Sequence, residues 1–507
     1  MIKRTSILPL LATVLLVGAS RLPARDIPVR DASALSGALG SAAPGDVLIL
    51  AKGTWSDVAI KVDKGGSEGS PLTIRAATPG ETILSGNSFL EINAPHVVVD
   101  GIYFTKGAVT KDQFSVIHFK SHHGTVRNTA IVDYNPEKFE EEYYWVHFSG
   151  DDNLLERCFF KGKNNMHPLL GNAITDSRRN TIRGCHFKNI PHADANGREI
   201  LRMWGPGKFD PKDTDGAYCV VEGNLFEHAD GEGTETVSLK SNYNQLTGNT
   251  VIGTLGCLNI RQGSHNVVKG NIILGQGLVG AQGLRMSGLD NTVEGNYVSG
   301  CDWGIKVSAG EYTESALTPE YKPTVKATGG KGKGAEKRIA KYPQVKDLKL
   351  TGNTSANNAG PDLELGFAYK RHWPEQQMVL LPENCLIKDN HFIRSKGGES
   401  VIGVVPESGP PLDQLKFAPN RYEGNTLLGG TVAYAPAAEG FKTESMPSGW
   451  KEEKAMVGFK PLTPDEVGPP WVVALRSSKK FPVEDDRTCY KISQDPSAAG
   501  QKKKNKD

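Results

Sequence analysis

The chain has 507 residues, and its 59 Lys and Arg against 57 Asp and Glu leave a net charge of +2, which gives no global attraction to nucleic acid. Its 57 glycines, few aromatic residues and scarcity of long helical periodicity exclude a helical bundle and point to a β-rich protein with many turns. Seven cysteines are too sparse to build a disulfide framework, and their odd number leaves at least one unpaired within the chain.

In chain order, MIKRTSILPLLATVLLVGAS places Lys3 and Arg4 ahead of an apolar stretch from Ile7 to Val17, then the small residues Gly18, Ala19 and Ser20. That is the pattern of an export signal over residues 1–24, too short for a membrane span, so the expectation is a secreted or periplasmic protein with no membrane partner. Ala32 to Trp55, ASALSGALGSAAPGDVLILAKGTW, reads as a short helix, a turn at Pro44-Gly45-Asp46 and a strand. A helix there would cap the open end of a repeat structure.

From Gly101 onward, short β-branched segments ending in a polar turn recur: VVVDGIYF, GTVRNTAI at Asn128, LLERCFF at Cys158, NTIRGCHF at Cys185 and CVVEGNLF at Asn224. NQLTGNTVI at Asn249, NVVKGNIIL at Asn271 and NTVEGNYVS at Asn296 follow, with later copies at Asn353, Asn390 and Asn425. The successive spacings 25, 22 and 25 from Asn224 to Asn296 suggest a solenoid. Without a leucine frame, the expected fold is all-β, a right-handed parallel β-helix with an N-terminal capping helix, its asparagines stacked at equivalent turns. Cys158 and Cys185 share one repeat position and read as free buried thiols rather than a bridge. The expected organisation is a β-helix over 26–440, an extension packed on it over 441–478, and a disordered basic tail over 479–507. The glycine- and lysine-rich stretch 324–341 reads as a surface loop.

One set of residues carries chemistry. Lys240 in VSLKS is followed 21 residues later by Arg261 and 24 residues after that by Arg285. Residues one coil apart lie about 4.8 Å from each other, so the three would form a ladder of cations on one face. Stacked like charges repel, and an anionic polymer laid across the coils would relieve the repulsion. The chemistry that suits the arrangement is β-elimination from a uronic acid polymer. Lysine, made neutral by burial or nearby cations, takes the C5 proton, and a cation or metal stabilises the resulting dianion. Lys240 is the expected base. Arg261 either neutralises the carboxylate or assists departure of the C4 oxygen, and Arg285 holds a neighbouring sugar acid. Asp151-Asp152 faintly suggests a glycoside hydrolase pair but reads as a turn, with no second Asp in register on the next coil. A non-catalytic polysaccharide-binding β-helix would not need Lys240, Arg261 and Glu235 in one register.

The ordered set DGEGTETVSLKS, LNIRQGSH and QGLRMSGLDNTVEGNYV, together with FFKGKNN and ANGREILRMWG, resembles the polysaccharide lyases of family six, alginate lyases and chondroitinase B-type enzymes on a parallel β-helix. The resemblance runs from about Ala32 to Val307. It implies Lys240 as base and Arg261 as acid or charge neutraliser, Arg285, Lys163 and His265 as substrate contacts, and an anionic polysaccharide, alginate first and chondroitin or dermatan sulfate second, as partner. Calcium-using members carry Glu-x-Glu, with the second Glu five residues before the lysine, and an upstream asparagine. Here Glu235 stands at the second position and Asn196 is the candidate asparagine, but the first position is Gly233, with Glu232 displaced by one. Because a one-residue shift in a strand reverses the side chain, the expectation is a calcium-independent site. Glu235 is then either a residual ligand or a partner that orients Lys240.

Overall fold

The computed structural model describes residues 24–110, 112–205, 215–310, 342–369, 378, 380–403 and 420–477. The export segment (residues 1–23 of it), the 324–341 stretch and the 479–507 tail lie outside the described residues. The alternation of buried and outward residues folds the chain into three long parallel sheets of 14, 14 and 13 strands. Each coil contributes one strand to each sheet in turn, and every strand pairs with those one coil before and after it. This is a right-handed parallel β-helix. The helix Ala32–Ser41, N-capped by Asp31, buries Leu35 and Ala38 in the same core as Leu48 and Ile60 at the first coils.

Inside the coils, like side chains stack. In the sheet formed by the third strand of each coil, Ile60, Leu90, Ile117, Val146, Leu170, Leu201 and Val237 follow one another in register. Phe160, Phe187 and Phe226 form an aromatic stack inside the second sheet, the latter pair with ring centroids 4.8 Å apart. At the corner leading into the second sheet, Asn224, Asn249, Asn271, Asn296, Asn353, Asn390 and Asn425 are each bonded amide to amide at 2.9 Å. The recurring asparagine of the sequence is this ladder. It continues N-terminally as Cys185, whose N–H donates to Asn224, and Cys158, whose N–H contacts the Cys185 sulfur. Both cysteines are free, buried thiols, as are all the others among the described residues. Asn128 is not part of the ladder; it adopts φ 50° and donates to Asp100. A second ladder, through Asn244, Asn266 and Asn291, lines the corner leading into the first sheet.

The outward faces differ in chemistry. On the first sheet, Asp100, Arg127, Glu156, Arg183 and Glu222 alternate in sign, a solvated charge ladder. On the second, outward Ala130, Phe159, Ile272 and Tyr297 are apolar because the C-terminal segment runs back over them. Ala455 and Phe459 cover Ile272 and Tyr297, and Trp471 and Val472 of the helix Pro470–Ser477 cover Ala130 and Phe159. The third sheet turns outward a row of histidine, arginine, lysine and amide side chains. Asn249→Ala would strand the Asn224 N–H and the Val221 carbonyl in the interior. It is expected to cost about 2–4 kcal/mol, read as a lowered urea midpoint, while Cys185→Asn, which extends the ladder, keeps its midpoint.

Candidate active site

Lys240 and Arg261 each leave the end of a third-sheet strand, Glu235–Leu239 and Gly256–Ile260. Leu239 pairs with Ile260, so the two cations stand side by side on adjacent coils, as their 21-residue spacing suggests. Arg285 does not complete that row. A bulge opposite Gly256–Leu258 lengthens its coil, and Arg285 pairs with Asn259, two residues ahead of Arg261. Its row is Arg202, Ser238, Asn259, Arg285 and Lys306.

Lys240 is 4% exposed, and its Nζ donates to Glu199 Oε1 at 2.8 Å beside the Trp204 ring. Burial, helped by Arg261 and Arg202, pushes its pKa below the ordinary lysine value against the opposing pull of Glu199 and Glu235. Glu199 is buried, yet Lys240 and Arg202 hold its pKa below the usual carboxylate range despite that burial. Arg202 donates to both Glu199 oxygens. Glu235 accepts from Asn259 Nδ2 at 2.9 Å and Arg261 Nη1 at 3.2 Å. Arg261 is held above the ordinary arginine value by Glu235, against its own burial, and so keeps its charge.

Glu199 and Arg202 are the residues sequence reasoning passed over, although both lie within ANGREILRMWG. The signal was a Glu three residues before an Arg in a segment entering a strand. Glu232 is likewise part of the site, contrary to the expectation that its one-residue displacement turns it away. The alternation rule fails because Glu232 precedes the strand, in a turn closed by Gly233 N–H donating to Asp230 O at 2.8 Å. Gly233 has φ 75°, and a Cβ there would stand 2.7 Å from the His192 ring, so a glutamate at that position would strain the backbone and displace His192. A further bulge after Glu235 turns its carboxylate to the outer face, onto Asn259.

The three carboxylates Glu199, Glu232 and Glu235 each offer an oxygen within 4.8 Å of the others. Burial and its two neighbours raise the pKa of Glu232, and Glu235 Oε2 is buried with no hydrogen-bond partner. Against those features stands the charge balance: Glu199 already faces Lys240 and Arg202, Glu235 faces Arg261, and Glu232 accepts from Thr234 and the Gly197 N–H. A calcium ion would have to displace cations that neutralise the cluster, so the donor set as arranged does not fit the ion. Asn196 is exposed, and the side chain its segment sends into the cluster is Glu199.

Lys163 is not a substrate contact. It is 1% exposed, with Nζ donating to the carbonyls of Asn165, Met166 and His167, an enclosed cation that ties down a loop. His265 sits at the corner beyond Arg261, stacked on Tyr243 with centroids 4.7 Å apart and paired with Asp290. Arg285 lies between the Tyr342 and Phe367 rings with a buried, unpartnered Nε, and Lys306 Nζ lies 4.0 Å from the Phe367 centroid. Asp151 and Asp152 pair with Arg179 on a turn, as expected.

The Chondroitinase B family model matches residues 29–306. A family PL6 polysaccharide lyase, Pedsa3628 from Pseudopedobacter saltans, is 38% identical with a TM-score of 0.76, covering 88% of this chain and 99% of its own. The mannuronic acid specific family 6 lyase from human gut microbiota, 23% identical with a TM-score of 0.70 over 89% of this chain and 98% of its own, shares the fold. So does the PL6 alginate lyase AlyGC, 23% identical with a TM-score of 0.71, covering 88% of this chain and 59% of its own. No curated protein sequence matches the chain. A parallel β-helix with this match across more than half its length, and a relative of that identity along nearly all of it, belongs to family 6 of the polysaccharide lyases.

Proposed function

We propose that the enzyme cleaves a uronic acid polymer, alginate first, by β-elimination at the Lys240–Arg261 pair. The observation that carries this reading is a buried lysine of lowered pKa beside a permanently charged arginine on the open face of the β-helix. Lys240 Nζ takes the C5 proton, the C4–O bond breaks, a C4–C5 double bond forms, and the departing oxygen takes up a proton from the Lys240 ammonium or from water. The charge that Glu235 keeps on Arg261 suits it to neutralise the substrate carboxylate rather than to give up a proton. Glu199 holds Lys240 in place, and Arg202 holds Glu199. Arg285, whose guanidinium lies between the Tyr342 and Phe367 rings, supplies charge for a neighbouring sugar acid, while Lys306 is paired with Glu364. The reading is supported by similar structures described as an alginate lyase and as a mannuronic acid specific lyase. The Chondroitinase B description of the matching family favours chondroitin or dermatan sulfate as the second substrate class. The apolar stretch from Ile7 to Val17 supports export to where such polymers lie.

Incubation with alginate, chondroitin sulfate and dermatan sulfate tests the reaction through the ultraviolet absorbance of the unsaturated uronate product. Absorbance with alginate is expected, and Lys240→Ala should lower it at least about 100-fold; no absorbance with any of the three polymers refutes the lyase reaction. Because Lys240 acts as a base, activity should climb with pH as its ammonium deprotonates. Glu199 favours that ammonium, so Glu199→Gln should move the rising limb of the pH–rate profile to lower pH, and an unmoved limb would remove Glu199 from this role. Turnover is expected to survive a metal chelator, since the cluster is neutralised by Arg202, Lys240 and Arg261; loss restored by added calcium would show that the ion displaces them.

A further inference from the structure

The row that carries Arg202 and Ser238 continues toward the N-terminal coils as Gly171, His147 and His118. There the chemistry changes. His118 and His147 meet edge to face with ring centroids 5.2 Å apart, and Phe114 covers them, 4.7 Å from the His147 ring. Tyr144 touches Phe114, His147 and His167, with centroids 5.2, 4.9 and 4.6 Å away. The five rings thus pack into one cluster in which Tyr144, His118 and His147 are buried and Phe114 and His167 reach solvent. Phe114 is 47% exposed, one of few large apolar side chains left open to solvent among the described residues. Burial lowers His118 to about 4, His147 to about 3 and His167 to about 4, so the imidazoles are neutral at physiological pH. His118 Nδ1 is buried without a partner. At the edges Lys120 is paired with Glu91 and Arg202 with Glu199, and the exposed Glu142 carboxylate lies 3.6 Å from His167 Nδ1.

The ring cluster is joined to the catalytic groups. Gly171 separates the histidines from Arg202 in the row, and a Cβ there would lie 2.7 Å from the Tyr144 ring. Only a glycine lets Tyr144 lie down over the sheet, where its phenol meets the charge of Arg202, the partner of Glu199 and through it of Lys240. The rings and Lys240 therefore face the same side, about 15 Å apart at the spacing of stacked coils.

We propose that Phe114, backed by Tyr144, His118 and His147 and flanked by His167, forms an aromatic platform on which a distal sugar of the bound polysaccharide stacks its apolar face. The proposal rests on the lyase reading for its occupant, the same polymer that reaches Lys240. Toward the C-terminal coils the face offers Arg285, suited to a carboxylate; toward the N-terminal coils it offers the Phe114 ring, suited to the C–H face of a pyranose irrespective of its charge. The platform would reward chain length, because a short oligomer held at Lys240 does not extend to it.

The test compares polymer with the shortest alginate oligomer that the wild-type enzyme cleaves. In Phe114→Ala, the ratio of kcat/KM for polymer to that for oligomer should fall about three- to tenfold, and Phe114→Tyr should restore it. An unchanged ratio overturns the platform. A second measurement is independent of turnover: migration of Lys240→Ala and of Lys240→Ala with Phe114→Ala through gels containing alginate or chondroitin sulfate. Weaker retardation of the double variant supports the platform, and equal retardation overturns it. Absence of lyase activity in the wild type, with retardation still dependent on Phe114, would refute the reaction and leave the platform standing.

Discussion

Everything in the site depends on coil-to-coil register. Lys240 and Arg261 are distant in sequence and adjacent in space only because parallel pairing places Leu239 against Ile260. Backbone pairing alone tolerates slippage, since a parallel ladder looks much alike after a shift of two residues. The asparagine ladder resists such slippage: each amide meets the next at 2.9 Å within a buried corner, and a slipped coil would leave several amide groups unpaired where water cannot reach them. The apolar stack inside the third sheet adds the requirement that Val237 and Leu258 stay inward, which keeps Ser238 and Asn259 outward.

The fold was legible because that constraint writes itself into the sequence as a repeated residue at a repeated spacing. Lys240 and Arg261 were legible for the same reason, as the stretch that leads to them, Val237–Leu239 against Leu258–Ile260, pairs without a shift. Legibility ended at the bulges. An extra residue near Leu284 moves Arg285 into the row of Asn259, and another after Glu235 turns that carboxylate outward. Spacing cannot reveal a bulge, because the inserted residue looks like any other loop residue. Glu232 was misjudged by applying strand alternation to a turn. Resemblance makes Lys163 a substrate contact, whereas three backbone carbonyls enclose its amine. Glu199 lay in a quoted motif and was overlooked, since its link to Lys240 comes from a strand 41 residues further along the chain.

Three buried glutamates are a poor way to stabilise a protein. Burial opposes the charge of each, and the gain from pairing with Lys240, Arg202 and Arg261 does little more than offset that cost. A cluster of groups with perturbed proton affinity on an open face is better understood as a device for setting protonation states. Here the device sets two. Burial and neighbouring cations favour the neutral amine of Lys240, and Glu235 fixes the charge of Arg261.

The two settings impose an order on the chemistry. A uronate entering the site brings negative charge next to Lys240, and that charge alone would favour the ammonium and disable the base. Arg261 is placed to prevent this. Its side chain is about a fifth exposed and one nitrogen is engaged by Glu235, which leaves other N–H groups of the guanidinium fork for a second carboxylate. Once the substrate carboxylate is held there, its charge is countered before it acts on the amine, and the C5 proton becomes more acidic in the same step. In the proposed elimination neutralisation would thus precede deprotonation, and the arginine on the neighbouring coil would make a buried lysine usable as a base against an anionic polymer.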